Sequence, residues 1–357
     1  MKTKLVYVLT CSETGTYIEQ ALMSIWSARH HNSDANIVLL TDDKTNKLLV
    51  GTRGELLNYI TEKTVVPFED ENASMMFRSR WIKTSARELV EGDFLFIDCD
   101  TIICKSLADV DSFDCEIGAV GDNNVKFYND ISRDETCTKV ATIGCDISGE
   151  EYYFSSGVIY CKDTEKTRNL YKLWHKCWIE GYYTFDVQID QPSLSKANIE
   201  CNHLIQPMND TYNCVLYTQN PFLREATILH IPSYRNSCFL FNNAVFKKIR
   251  KDGLPDWVKE MILNIHATYL PFDYSIKHST QQQRKQWIRE IAKAAKVNRL
   301  YISRSFREWH FRTSSVHFVV FLFAIGFFRT GALVWLLSRR HVLRNKRDVK
   351  ANICSIA

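Results

Sequence analysis

The 357-residue sequence has no C-x-x-C pair among its twelve cysteines, and no histidine stands at zinc-finger spacing from a cysteine pair. These absences exclude the common structural zinc motifs. The cysteines lie singly in apolar runs, such as Cys161 in GVIYC and Cys177 in HKCW, where a free thiol packs as a small hydrophobe. We therefore expect reduced thiols in a cytosolic protein rather than secreted disulfides.

Low-complexity stretches and internal repeats are also missing. A hydrophobic fraction of 45% with 24% charged residues is that of a globular chain, which excludes disorder and collagen-like repeats as descriptions of the whole. We expect no secretory signal, because the apolar run Leu5–Leu9 is too short for a signal core and no small-residue cleavage site follows it.

Charge is divided unevenly along the chain. Residues 1–280 carry 29 Lys and Arg against 38 Asp and Glu, whereas residues 281–357 carry 16 against 3. An acidic body with a basic tail predicts that the tail meets an anionic partner, either membrane lipid or nucleic acid.

Apolar runs alternate with helical spacing over the first 120 residues. Strands are predicted at Leu5–Leu9, Asn36–Leu40, Thr64–Phe68 and Phe94–Ile97, and helices over 17–31, 48–60 and 77–90. This alternation predicts an α/β layer with a largely parallel sheet, in which ligands bind beyond the carboxyl ends of the strands. Polar segments follow three of these strands, at Thr10–Ser12, Thr41–Asp43 and Asp98–Asp100.

The segment FLFIDCD places Asp98 and Asp100 just past a buried strand. Two carboxylates one residue apart offer the hard oxygen ligands that Mg²⁺ and Mn²⁺ prefer, and such an ion grips the phosphates of a nucleotide. On its own, an Asp-x-Asp pair is also common in solvated turns.

The order of further motifs along the chain indicates which class of protein this Asp-x-Asp pair belongs to. The first strand and the Tyr17–His31 helix are followed by FLFIDCDTII, FSSGVIYCK, Asp190-Gln191 and TILH. Over residues 4–235 this order resembles nucleotide-sugar glycosyltransferases of the GT-A fold, most closely glycosyltransferase family 8, the galactosyl- and glucosyltransferases related to glycogenin. The resemblance implies an α/β, GT-A-type Rossmann-like domain with a UDP-sugar donor and a Mn²⁺ or Mg²⁺ ion.

The resemblance also assigns the site residues. It implies that Asp98, Asp100 and His230 bind the metal, although a histidine after a strand is often structural. It implies donor binding by Thr10, Ser12, Tyr17, Arg80, Lys83, Asp122, Ser155, Ser156, Gly157 and Arg235. Ser155 stands where the family has Asn, and Arg235 is one position from a phosphate-binding Lys that this chain lacks. A solvated basic face is the alternative for Arg80 and Lys83.

Asp190 and Gln191 match the family's Asp-Gln pair. The resemblance implies transfer with retention by a front-face mechanism, in which Gln191 stabilises oxocarbenium charge and Asp190 binds sugar hydroxyls. Asp-Gln-Pro is also a good helix start, with Asp190 as N-cap and Pro192 in the first turn.

Beyond the catalytic domain, predicted at 1–275, the region 276–357 is basic and helical. Its segment 316–337 is about as long as a membrane span, yet Arg329 interrupts it and basic residues flank both sides. We expect a monotopic anchor on an anionic inner membrane face, with a true span or a buried helix pair as alternatives. Nucleic-acid binding is not expected, because the aromatic residues lie within the apolar run rather than between Lys and Arg.

Together these features predict a cytoplasmic, membrane-associated transferase. It would move galactose or glucose from a UDP-sugar to a glycan or glycolipid hydroxyl in cell-surface polysaccharide or lipooligosaccharide synthesis. A sugar nucleotidyltransferase and a catalytically silent scaffold of the same fold are the alternatives.

Overall fold

The computed structural model describes residues 1–130, 132–216, 222, 225–232, 241 and 243–265. The predictions for Arg235, for the domain boundary at 275 and for the segment 316–337 lie outside the described residues.

The first half of the described chain alternates strands with helices. In order, its elements are β1 (Lys4–Leu9), α1 (Tyr17–His31), β2 (Ile37–Asp42), α2 (Asp43–Leu48), a 3-10 helix (Gly51–Asn58), β3 (Glu62–Val66), α3 (Met75–Thr84), α4 (Ala86–Leu89), β4 (Phe94–Ile97) and β5 (Thr101–Ile103).

The second half is less regular. Its elements are β6 (Ile117–Gly121), α5 (Arg133–Ala141), β7 (Phe154–Cys161), α6 (Glu165–Phe185), α7 (Gln191–Glu200), β8 (Ile205–Pro207), β9 (Cys214–Val215), β10 (Ile228–His230), α8 (Asn243–Asp252) and α9 (Asp256–Leu263), with short 3-10 turns at Ala108–Ser112, Asp122–Asn124, Phe127–Asn129 and Asp210–Asn213.

Seven strands form the main sheet in the order β3-β2-β1-β4-β7-β6-β8. The pairs β3/β2, β2/β1, β1/β4 and β6/β8 are parallel, and only β7 runs antiparallel to its neighbours β4 and β6. The predicted α/β architecture with a largely parallel sheet is therefore confirmed. Because β2, β1 and β4 are adjacent and parallel, the polar segments that follow them meet at one edge of the sheet.

Strand β1 shows why this sheet is buried on both faces. Leu5, Tyr7 and Leu9 pack with the apolar face of α1, whereas Val6 and Val8 pack with α3 and α6 on the opposite face. A strand covered by helices on both sides needs apolar residues at every position, as the run LVYVL has. Each fully buried aliphatic side chain stabilises the fold by roughly 1.5–3 kcal/mol relative to an exposed one.

A small second sheet brings the chain back to the polar edge. Strand β10 pairs antiparallel with β5 and parallel with β9. Its register sets His230 opposite Thr101. A histidine 130 positions later in the sequence thus lies beside the Asp98–Asp100 segment.

Two predicted helices are divided in the structure. The helix expected over 48–60 becomes α2 and a separate 3-10 helix, because Gly51, the first residue of the 3-10 helix, adopts a left-handed φ of 57°. The helix expected over 77–90 is interrupted at Ser85, which ends α3 and precedes α4.

The described cysteines are all free thiols, and the described helices include none with the length and apolarity to cross a bilayer.

Candidate active site

Three potential metal ligands converge at the polar edge of the sheet. Asp98 and Asp100 lie in the tight connection between β4 and β5, and His230 ends β10. One ligand atom from each residue lies within 4.8 Å of the others, and His230 Nε2 is 3.2 Å from Asp100 Oδ1. Two carboxylates and an imidazole form a donor set that suits Mn²⁺ or Mg²⁺.

The orientation of His230 is set by a residue that the sequence did not reveal. Its Nδ1 lies 2.8 Å from Asn213 Oδ1, and Asn213 Nδ2 donates to Ser155 Oγ at 2.9 Å. An amide oxygen accepts, so Nδ1 carries a proton and donates to Asn213, and Nε2 is the ring nitrogen that faces Asp100 and would bind a metal ion. Histidines that bind metals usually donate their other ring N–H in this way. No local pattern marks Asn213, because its role depends on the pairing of β9 with β10.

Gly157 makes room for the cluster. Its carbonyl accepts the Asp98 N–H at 2.8 Å. A Cβ at this position would lie 2.5 Å from His230 Cε1 and 3.2 Å from Asp98 Oδ2. Glycine therefore allows the backbone of β7 to approach the cluster more closely than any other residue would.

The side chains of Asp98, Asp100 and His230 lie close enough to shift one another's pKa values. Burial lowers the pKa of His230, but Asp100 and Asp98 outweigh burial and raise it above its ordinary value. Burial raises the pKa of Asp98, and Asp100 adds to the rise, although Lys83 opposes both. Close carboxylates repel one another in a low-dielectric site, so a divalent cation would relieve the repulsion.

A buried cation links this cluster to Asp190. Lys83 is 3% exposed, and its Nζ lies 3.2 Å from Asp98 Oδ1, 3.2 Å from Ser156 Oγ and 3.5 Å from Asp190 Oδ2. Arg80 Nε lies 2.8 Å from Asp190 Oδ1. Lys83 therefore does not belong to a solvated basic face, and both cations lie within the site.

Asp190 begins α7, but its side chain makes no capping hydrogen bond. Burial raises its pKa, yet Lys83 and Arg80 outweigh burial and lower it, so the carboxylate stays ionised. Asp190 Oδ2 is buried with Lys83 Nζ as its ion-pair partner at 3.5 Å, and the Gln191 side chain interacts with Asp122.

Asp122 follows β6 on the Gln191 side of the site. Burial raises the pKa of its carboxyl, and Asp130 adds to the rise, whereas the Gln191 side chain and His230 act in the opposite direction. Asp122 therefore interacts with Gln191 and, electrostatically, with His230 of the metal cluster.

An open cleft of about 280 Å³ lies in front of the carboxylates. Thr10, Tyr17, Arg80, Asp98 and Asp100 are among its lining residues. The Thr10 hydroxyl donates to the Met75 carbonyl at 3.2 Å, which ties β1 to α3. Ser12 Oγ accepts the Gly15 N–H at 3.0 Å, so its role in the structure is to shape the loop before α1.

Two tryptophans of α6 hold the segment before α7. Trp174 Nε1 donates to the Asp190 carbonyl at 2.9 Å, and Trp178 Nε1 donates to the Gln188 carbonyl at 3.2 Å. No local sequence pattern indicates these bonds. They fix the backbone from which Asp190 and Gln191 project.

Neither a protein-family model nor a curated protein matches this chain. Among solved structures it is similar to mouse xyloside xylosyltransferase 1, with 13% identity, a TM-score of 0.44, and coverage of 65% of this chain and 98% of that one. It is also similar to the galactosyltransferase LgtC in complex with donor and acceptor sugar analogs, with 16% identity, a TM-score of 0.45, and coverage of 70% and 95%. A third is the glycosyltransferase GlyE of Streptococcus pneumoniae, with 17% identity, a TM-score of 0.42, and coverage of 74% and 63%. All three of these proteins are glycosyltransferases.

Proposed function

We propose that this protein is a metal-dependent, retaining glycosyltransferase that moves a hexose, galactose or glucose, from a UDP-sugar to a glycan or glycolipid hydroxyl. One observation carries the proposal: Asp98, Asp100 and His230 converge at the carboxyl edge of a parallel sheet, beside an open cleft. Ligands of such sheets bind at this edge.

Asp98, Asp100 and His230 would hold a Mn²⁺ or Mg²⁺ ion. When bound, the ion neutralises the negative charge that develops on the leaving diphosphate. The room left by Gly157 and the fixed tautomer of His230 support this ligand set.

Arg80 and Lys83 add fixed positive charge next to the carboxylates. Fixed charges in a partly dry cleft stabilise a developing negative charge without reorganising during the reaction. Both cations are also held by Asp190, which keeps their side chains in place before the donor binds.

Asp190 and Gln191 would act on the sugar. The ionised Asp190 carboxylate accepts hydrogen bonds from sugar hydroxyls, and Asp122 offers a second carboxyl for the same purpose. The amide of Gln191 would lie next to the anomeric centre and stabilise positive charge as the bond to the diphosphate breaks. The acceptor oxygen would form its bond from the same face, and its proton would pass to the departing diphosphate. Thr10 and Tyr17, in the wall of the cleft, contact the nucleoside.

The acceptor would be a cell-surface glycan or lipooligosaccharide at the inner membrane face. The basic region 276–357, with 316–337 as an interfacial anchor, would hold the cleft near an anionic membrane. This part of the proposal is supported by the charge and hydropathy of the sequence.

The test is thermal unfolding with UDP, other nucleotides and UDP-sugars, each with and without Mn²⁺. A ligand at 100 times its Kd stabilises the folded state by about 2.7 kcal/mol. UDP with Mn²⁺ should raise the Tm of the wild type but not of Asp98→Ala. The matched control is Asp114→Ala, which removes a fully exposed carboxylate and should respond like the wild type. No response of the wild type to any nucleotide would remove the transferase proposal and favour a silent scaffold.

A further inference from the structure

Two arginines from distant parts of the chain meet on one buried carboxylate behind the cleft. Glu19, in the first turn of α1, is only 1% exposed. Its Oε1 accepts from Arg53 Nε and from Arg250 Nε, each at 2.8 Å. Arg53 belongs to the 3-10 helix Gly51–Asn58 and Arg250 to α8, so one carboxylate joins three elements.

The same guanidinium groups bind the backbone of residues 10–16, which we call the donor loop. Arg53 donates to the Gly15 carbonyl at 2.7 Å, and Arg250 donates to the same oxygen. Arg250 also donates to the Glu13 carbonyl at 3.2 Å. These bonds fix the path of the loop, since they involve its carbonyls rather than its side chains.

The start of the donor loop is held apart from the arginines, because the Cys11 N–H donates to Thr45 Oγ1 at 2.7 Å and the Thr10 hydroxyl donates to the Met75 carbonyl. Residues 13–15 have little support besides the arginines. Thr16, the N-cap of α1, makes no capping hydrogen bond through its side chain. A single turn closes the loop, with the Gly15 N–H donating to the carbonyl and hydroxyl of Ser12. Thr10 at the start of the loop and Tyr17 just after it line the cleft, so the shape of the loop sets the shape of the cleft wall.

Helix α8 is itself fastened to the 3-10 helix. Thr52 Oγ1 donates to the Arg250 carbonyl, and the Leu254 N–H donates to Glu55 Oε2 at 2.8 Å. Arg250 is therefore held at its backbone as well as at its side chain. The bonds from Arg250 to the loop therefore depend on α8 remaining packed against the 3-10 helix.

We propose that Arg53 and Arg250, joined through Glu19, are positioning residues that hold the donor loop in the form in which Thr10 and Tyr17 receive the nucleoside of the donor. This inference rests on the proposed function. Helix α8, which comes later in the sequence than every predicted site residue, would thus complete the donor site.

The test compares Arg250→Ala, Arg250→Lys and the wild type. The control is Lys248→Ala, which removes a cation of the same helix that pairs with Asp252. Hydrogen exchange of the Gly15 amide reports the loop, and Mn²⁺-dependent UDP affinity and donor KM report the site. We expect Arg250→Ala to speed Gly15 exchange and weaken donor binding, each by about tenfold or more, because it removes bonds to both Glu13 and Gly15 and one charge-assisted hydrogen bond is worth about that factor. The kcat should change less than KM, the Lys variant should recover part of the affinity, and Lys248→Ala should match the wild type.

Unchanged Gly15 exchange in Arg250→Ala would overturn the inference. So would faster exchange with undiminished donor affinity, because the arginines would then serve stability alone. Should Arg250→Ala fail to fold, Arg250→Lys and Arg53→Lys carry the same comparison, since each keeps the charge but loses the paired geometry. A wild type that binds no nucleotide would defeat the proposed function and the donor part of this inference together. Gly15 exchange would still decide whether the arginines hold the loop.

Discussion

Gly157→Ala is expected to dismantle the metal cluster while leaving the sheet intact. The new Cβ would lie 2.5 Å from His230 Cε1, and ordinary contact begins at 3.4 Å, so the imidazole would have to move by about 0.9 Å. Metal–ligand distances tolerate deviations of about 0.2 Å. The φ angle of Gly157 is not positive, so alanine adds no backbone strain there.

We therefore expect Mn²⁺ affinity to fall at least tenfold, about the loss seen when groups supporting a metal ligand are changed. The free energy of unfolding should fall by about 1–3 kcal/mol, as for other overpacked sites. Calorimetric titration with Mn²⁺ and urea unfolding measure the two effects separately.

The matched control is Gly118→Ala on the neighbouring strand β6. Its Cβ would lie 2.6 Å from Met208 Cγ, a flexible side chain that can move aside. This variant should keep the Mn²⁺ affinity of the wild type. Equal Mn²⁺ affinity in Gly157→Ala and wild type would refute the placement of His230 as a ligand, and equal losses in both variants would point to general damage to the sheet.

Three further outcomes follow from the contacts described above. Asp98→Asn should lose the Mn²⁺-dependent rise in Tm while its metal-free Tm is not lowered, because the change relieves carboxylate repulsion and Lys83 keeps a second partner; a retained Mn²⁺ response in thermal unfolding would contradict this. Burial raises the pKa of Glu19, but its two arginines outweigh burial and lower it below 4.5, so its stabilisation is present above pH 4.5 and is lost as the pH falls through the lower folded value. Glu19→Gln should thus be less stable than the wild type at neutral pH and lose less stability on acidification. Urea unfolding from pH 3 to 7 measures this, and an equal loss of stability with falling pH in the two proteins would contradict it. Trp174→Phe should cost about 0.5–1.5 kcal/mol, because the Asp190 carbonyl loses its indole donor but keeps the Leu194 N–H at 3.1 Å; urea unfolding measures this, and an unchanged midpoint would indicate that the indole bond adds no stability.

Much of the fold could be predicted from local spacing. The limits of α1 agree with those predicted, and β1 and β4 lie where the apolar runs place them. Strand and helix periodicities are local properties, so a short window of sequence contains them. The divided helices were missed because Gly51 and Ser85 act through backbone conformation, which hydrophobic spacing does not report.

The candidate site was predictable where its residues follow strands or stand in a recognisable motif. The pattern of the strands predicts Asp98 and Asp100 at the sheet edge, the family resemblance implies His230 as the third ligand, and the structure places the three together. The partners that hold them were not predictable. Asn213 orients His230 only because β9 and β10 are neighbours in the second sheet.

Local spacing along the chain is enough to predict the alternating elements, the buried character of the central strands and the carboxylates at the edge of the sheet. The position of Lys83 between Asp98 and Asp190, and the reach of Arg250 to a carbonyl 237 positions away, appear only in the folded molecule. Such contacts depend on strand order and on how helices pack across the sheet. Neither is encoded in the spacing of neighbouring residues.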